Sequence, residues 1–462
     1  MDTCESIKSE ADSVQPNLDS GPATVEIYRP FFLAGILSVL TAGCTLGAVA
    51  MLGIALKGSY TTDVWSPYVL AHANSQLYGW VGFFIIGVGL QQHAPRIDRV
   101  KLFHWLAYAS LVLMGLGIGL RFAAEPLARS DPGFWIPIGV ISCVLQFLAV
   151  LLFVTNTQVT RYRTGGPLNW QGVFVLVSLA WMLLIAAAEP FYFVLAHQSD
   201  PVSGIMFVAE YFPPLREAQF LGFVTLMIFG VALSKMNSSF GAKPAHKRLA
   251  LAALLVWNLG LLGRMTGWVA FFRNQMEPGT NGLYTIGGLV LAGAAVMLVI
   301  ATRMFEPLTE RLPSHKFIRA AFVWLIAGGV LLVLEPTHLG LIGQPFSHAY
   351  IGAIRHALTV GFISQMIVGV SIRFVAQMRD LPESAQSPLW AAFLLVNLGN
   401  ILRVVLEITT DYSPDAFMPM GFTGFIELAG LAIWAWHVAP PMLRRNKRGM
   451  TNRPGLQRAA SS

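Results

Sequence analysis

Charge is what this sequence has least of: Asp, Glu, Lys and Arg make up 12% of its 462 residues, about half the share in a soluble domain. Cysteine is almost as scarce. Cys4, Cys44 and Cys143 are scattered and form no C-x-x-C or C-x-x-C-H pattern, which excludes a disulfide framework and a covalently attached cofactor. The first 27 residues lack the basic start and small-residue cleavage site of a secretory signal. A Gly-rich phosphate loop, an H-E-x-x-H motif and a Ser-His-Asp constellation are also missing, so neither nucleic-acid binding nor hydrolysis finds support.

What the sequence has instead is apolar length. With 55% hydrophobic residues, it offers runs of about 20 residues, enough to cross a bilayer as helix. They fall at 31–54, 69–90, 102–122, 134–154, 172–193, 211–233, 249–272, 283–302, 317–334, 350–374, 390–406 and 421–438. Open sheets cannot span lipid, so the expected fold is all-α, a polytopic membrane bundle of about 12 transmembrane helices. The expected organisation is a disordered, acidic cytosolic tail over 1–27, a membrane domain over 28–440 and a basic cytosolic tail over 441–462.

The net charge of +7 reads as a topology signal. Segments after even-numbered runs carry Arg96, Arg99, Lys101, Arg161, Arg163, Lys235, Lys243, Lys247, Arg248, Arg303, Arg311, Lys316, Arg319, Arg373 and Arg379; those after odd-numbered runs carry only Lys57, Arg129 and Arg273. That asymmetry places both termini in the cytoplasm of a bacterial inner membrane, with the bilayer as the chief partner.

Three runs resemble one another: "NSQLYGWVGFFIIGV", "EAQFLGFVTLMIFGV" and "HALTVGFISQMIVGV". They align Gly79, Gly222 and Gly361, which stand 143 and 139 residues apart. A second set, "MGLGIGLR", "WNLGLLGR" and "VNLGNILR", aligns Arg121, Arg264 and Arg403 at the same two spacings. Apolar helices imitate one another in composition but seldom in register, so three pseudo-repeats of four helices are expected. Close helix approach alone accounts for the glycines, but not for the arginines.

Ionisable groups inside a bilayer are costly and usually functional, so each histidine is weighed. His93, His104, His246 and His315 lie near loops and His437 ends the last run, where solvation is expected. His197 and His338 follow Glu189-Pro190 and Glu335-Pro336 and are expected at the surface, and His348 is a reserve metal ligand. His72 and His356 differ, because both lie early in runs that enter from the outer face. In the repeat register they are two positions apart, about 200° around a helix, so equivalent helices of neighbouring units would present them to one space. Facing imidazoles suit an iron porphyrin, and Arg121, Arg264 and Arg403, level with them, would neutralise its propionates. The plain reading is also open: polar residues gluing helices, with the arginines paired to Glu125, Glu210, Glu217 or Glu407.

At this point the residues resemble a known superfamily. "LAHANSQLYGWVGF" is similar to the ligand segments of haem-copper oxidase subunit I, where the matching positions for the low-spin haem are His72 and His356. A closer resemblance is to the NnrS family, carried by "YRPFFLAGILSVL", "AHANSQLYGW" and "RHALTVGFISQMIVGV". It implies haem b, copper and a role in the response to nitric oxide. The departures are specific: Asn74 replaces the second His of the His-x-His pattern, Ile354 stands where the oxidases bind their active-site haem, and Glu217 and Asn258 occupy their copper-ligand runs. The resemblance therefore does not extend to an oxygen- or nitric-oxide-reducing centre, and copper would have to use His348, Glu217 or methionines. Two other classes fit the same pattern. One is a small-molecule transporter with helices broken at Pro190, Pro213, Pro214 and Pro336; the other is a cofactor-free scaffold subunit.

Overall fold

Apolar runs with helix-compatible prolines and frequent glycines leave the backbone one way to satisfy its hydrogen bonds in lipid, and the chain takes it. The computed structural model describes residues 26–60, 64–94, 100–198, 200–236, 244–277, 279–308 and 311–444. The expectations for both tails, for Cys4 and for Arg96, Arg99 and Lys243 lie outside these residues.

Among the described residues twelve long helices follow one another: α1 Tyr28–Lys57, α2 66–93, α3 Val100–Leu127, α4 Pro132–Arg163, α5 Trp170–Ala196 and α6 Val202–Ser234. Then come α7 Lys247–Arg273, α8 Gly282–Thr302, α9 Pro313–Ile342, α10 His348–Met378, α11 Trp390–Thr409 and α12 Phe417–Leu443. All but α2 are long and apolar enough to cross a membrane; the first half of α2 is diluted by His72, Asn74, Ser75 and Gln76. Several helices outrun the apolar stretches that announce them, since polar residues at the ends also complete turns. Asp200, for example, caps α6 by accepting from the Val202 and Ser203 amides. Pro190, Pro213, Pro214 and Pro336 lie within continuous helices, so the breaks expected of a transporter are not made there.

Helices α2, α6 and α10 form the interior. The central windows of α6 and α10 are 78% and 72% buried, against 33–50% for the other spans, and α2 is buried almost continuously from Leu77 to Phe84. Each inner helix packs on the helix before it and the one after it, and α3 with α4, α7 with α8 and α11 with α12 form close antiparallel pairs. Glycine makes the contacts possible. A side chain at Gly79, Gly222 or Gly361 would collide with Ser38, Trp181 or Trp324 of the preceding helix, and one at Gly117, Gly260 or Gly399 with the partner of its hairpin. In lipid, where apolar surface gains nothing by leaving the solvent, such close packing and polar contacts hold helices together.

Each inner helix also carries a π-helical stretch: Ser75–Gly82, Ala218–Thr225 and Ala357–Ser364. These begin 143 and 139 residues apart, the spacing of the sequence motifs. Long π stretches are rare and gather at functional sites. The arrangement closes on itself, because α12 lies along α1, with Gly421 against Leu52 and Ala55 and Gly424 against Ala48. At the end of the bundle where α1 begins, Arg29 and Arg379 both donate to the Arg444 carbonyl, at 3.4 and 2.7 Å.

Candidate functional site

The first turns of α2 and α10 bring His72 and His356 to the same level of the bundle, near the end opposite Arg29. His72 donates from Nδ1 to the Gly43 carbonyl of α1 at 2.8 Å. Gly43 closes a π turn in α1, and its ψ of −106° takes it off the helical ladder, freeing that carbonyl. Because a carbonyl only accepts, the bond fixes the tautomer and leaves Nε2 as the free lone pair. His356 repeats the device within its own helix, donating from Nδ1 to Gly352 O at 3.0 Å, with Glu407 Oε2 3.4 Å away.

Neither Nε2 makes a hydrogen bond among the described residues, and neither is sealed inside protein. His356 keeps 29% of its side-chain surface accessible although it sits on one of the most buried helices. Both Nε2 atoms therefore border open space. His356, Arg403 and Arg216 lie in the surroundings of His72. A metal-binding histidine typically donates its other ring nitrogen to a carbonyl or carboxylate, and both imidazoles are already held in that way. Imidazoles held in this way are a donor type that haem iron takes.

The three expected arginines are all committed to carboxylates. Arg121 pairs with Glu125 at 2.5 Å and Glu189 at 3.5 Å and touches Cys143. Arg264 pairs with Glu217 at 2.8 Å and Glu335 at 2.9 Å, while Tyr284 bridges Arg264 and Glu335. Arg403 pairs with Glu407 at 3.0 Å, and Glu407 also faces His356. A guanidinium buried in a membrane bundle costs least beside a carboxylate, so ion pairing accounts for Arg121 and Arg264. Arg403 remains part of the His72 surroundings, with Nε and Nη1 unbonded.

Other expectations meet the structure less evenly. His348 stands exposed at the start of α10 with its ring against Phe346, two turns and about 12 Å along the helix from His356. Glu217 is held by Arg264, and Asn258 accepts from Trp181 at 3.0 Å. Asn74 forms a closed amide pair with Gln146, at 2.9 and 3.2 Å, and so turns toward α4. Among the described residues no cluster of three His, Cys, Asp or Glu side chains is placed to hold a metal ion.

Of three histidines expected in solvent, two are buried and one is half-buried. His338 is 6% exposed, bonded through Nε2 to Asp411 at 2.7 Å and stacked on Tyr350. His315 is 5% exposed. His197 lies on Phe193, 3.6 Å from Glu125. At His338 and His197 a residue distant in sequence, Asp411 or Glu125, meets a ring whose own neighbourhood reads as a loop.

Two arginines escaped the sequence reading altogether. Arg216 and Arg355 precede Glu217 and His356 on α6 and α10 and act electrostatically on one another. The available signal was their spacing of 139 residues, that of the motifs around them.

An all-helical, multi-pass membrane protein, with imidazoles and arginine-carboxylate pairs gathered toward one end of its bundle, is the class this architecture defines. The family model described as NnrS protein matches residues 26–446, and the chain belongs to the NnrS family. No curated protein matches it.

Proposed function

We propose that this NnrS-family chain binds a b-type haem between α2 and α10, with His72 and His356 as axial ligands, and serves the response to nitric oxide that the family resemblance implies. The observation that carries the cofactor reading is the matched pair of Nδ1-carbonyl bonds, which leaves two Nε2 atoms facing open space within electrostatic reach of each other. When bound, a haem held by His72 and His356 would supply a one-electron redox centre. The chain's own part is to fix both tautomers, to set Glu407 beside His356, and to keep Arg403 near His72 as a counter-charge. The recurrence of π stretches at the motif spacing supports the three-unit scaffold on which neighbouring inner helices face one space. The basic asymmetry of the loops supports an inner-membrane location with cytoplasmic termini.

The test is a reduced-minus-oxidised optical spectrum of the detergent-purified protein. A bis-imidazole haem b spectrum is expected in the wild type and is lost in both His72→Ala and His356→Ala. A colourless wild-type protein, after expression with ample haem, overturns the reading.

A further inference from the structure

Arg216 and Arg355 occupy corresponding places. They are 139 residues apart, each one position before the residue matched in the motifs, and both are partly buried on the two most enclosed helices. Arg216 is steered by Gln219, which accepts from its Nη1 at 2.7 Å and is itself held by Glu189 at 2.7 Å; its guanidinium also lies 5.6 Å from the Phe212 ring centroid. Arg355 forms no ion pair and donates no guanidinium hydrogen bond among the described residues. The unbonded nitrogens of both arginines are not sealed in protein, so they border open space as the two imidazoles do. On α2 the corresponding residue, 143 positions before Arg216, is Ala73, which fills almost none of that space.

Two cations near enough to act on one another in a low-dielectric interior repel, and a guanidinium in a membrane bundle without a carboxylate partner, as at Arg355, is costly. The Arg403, Arg264 and Arg121 sites show how this chain otherwise meets that cost, with a carboxylate within 3.0 Å in each case. We propose that Arg216 and Arg355 form a two-armed carboxylate clamp, in which each guanidinium takes one carboxylate of a ligand lodged between α6, α10 and the small residue on α2. The planar fork of five N–H donors matches a carboxylate in two-point geometry. A ligand presenting two carboxylates can come from two sources, the propionates of a haem or a free dicarboxylate, and the first rests on the haem reading above.

The test uses the full chain purified from haem-limited cells, in wild-type form and as the double variants Arg216→Gln/Arg355→Gln and Arg216→Lys/Arg355→Lys. Each is titrated with protohaem, with protohaem dimethyl ester and with succinate, reading the optical spectrum and the thermal midpoint, with gel-filtration profiles confirming folded protein. If the clamp holds propionates, wild type binds protohaem over its dimethyl ester by about tenfold or more, as expected from losing a charge-assisted pair. The glutamine variant loses that preference yet keeps the bis-imidazole spectrum, and the lysine variant recovers part of it. If the clamp holds a free dicarboxylate, no haem spectrum forms, succinate raises the midpoint of wild type, and the glutamine variant does not respond; that outcome removes the haem reading and leaves the clamp standing. A glutamine variant that folds and matches wild type in all three titrations overturns the clamp, whatever becomes of the haem. If it fails to fold, the lysine variant decides alone: carboxylate preference equal to that for ester, with no succinate response in folded wild type, overturns it as well.

Discussion

A single glycine shows how little slack surrounds the candidate ligands. A Cβ on Gly47 would enter the space of the His72 ring, so the imidazole rests directly on the α1 backbone that also receives its Nδ1 proton. Gly47→Val is expected to push the ring off Gly43 and weaken haem retention by about 10- to 100-fold, the usual effect of disturbing a ligand's supporting partner. Pyridine-haemochrome content per mole of protein measures it; unchanged content would separate His72 from the cofactor. His72 and His356 were conspicuous in the sequence as candidates because an imidazole inside an apolar run is costly. Arg216 and Arg355 were not, because each adjoins another ionisable residue and a one-position difference decides which of them meets a carboxylate. His338 misled for the opposite reason: its loop-like setting conceals Asp411, 73 residues away, which folds back to meet it.

Among the elements, buried arginines knot helices together: Arg121 of α3 reaches Glu189 of α5 and Cys143 of α4, whereas Arg403 pairs within α11. Arg264 alone ties α7 to Glu217 of α6, to Glu335 of α9 and to Tyr284 of α8. Removing it leaves two carboxylates buried without a cation, and Arg264→Met is expected to cost about 3–5 kcal/mol. Thermal unfolding in detergent reads the loss, and adding Glu217→Gln and Glu335→Gln to the same chain should restore much of it. A triple variant no more stable than Arg264→Met alone would show that the network acts through packing instead of charge. Helix number and order were legible from run length, and the spacing of 143 and 139 residues marked where the π stretches would fall. The π turns themselves were hidden, since nothing in residues 75–82 distinguishes a widened turn from an ordinary one until its neighbours crowd it. The prolines were misleading because helices in a bundle tolerate them where adjacent groups satisfy the freed carbonyls.

At the scale of the molecule, the ends of α1 and α12 meet at one face through Arg29 and Arg444. On the topology proposed above that face is cytoplasmic, so an alkaline phosphatase fused after Leu443 should be inactive in a bacterial host and one inserted between α1 and α2 active. The reverse pattern would invert the topology and place the histidines near the cytoplasm. The pairing of the first helix with the last could not be read from hydropathy, which treats every span alike; it depends on Gly421 and Gly424 meeting Leu52, Ala55 and Ala48. That pairing also sets a condition on biogenesis. Eleven helices can enter the membrane and still leave an open horseshoe, with the glycine-matched flank of α1 turned to lipid, until the twelfth arrives to shut the circle. Assembly is therefore settled at the end of synthesis, and a chain stalled before α12 should remain a substrate for membrane proteases however well its earlier spans have inserted.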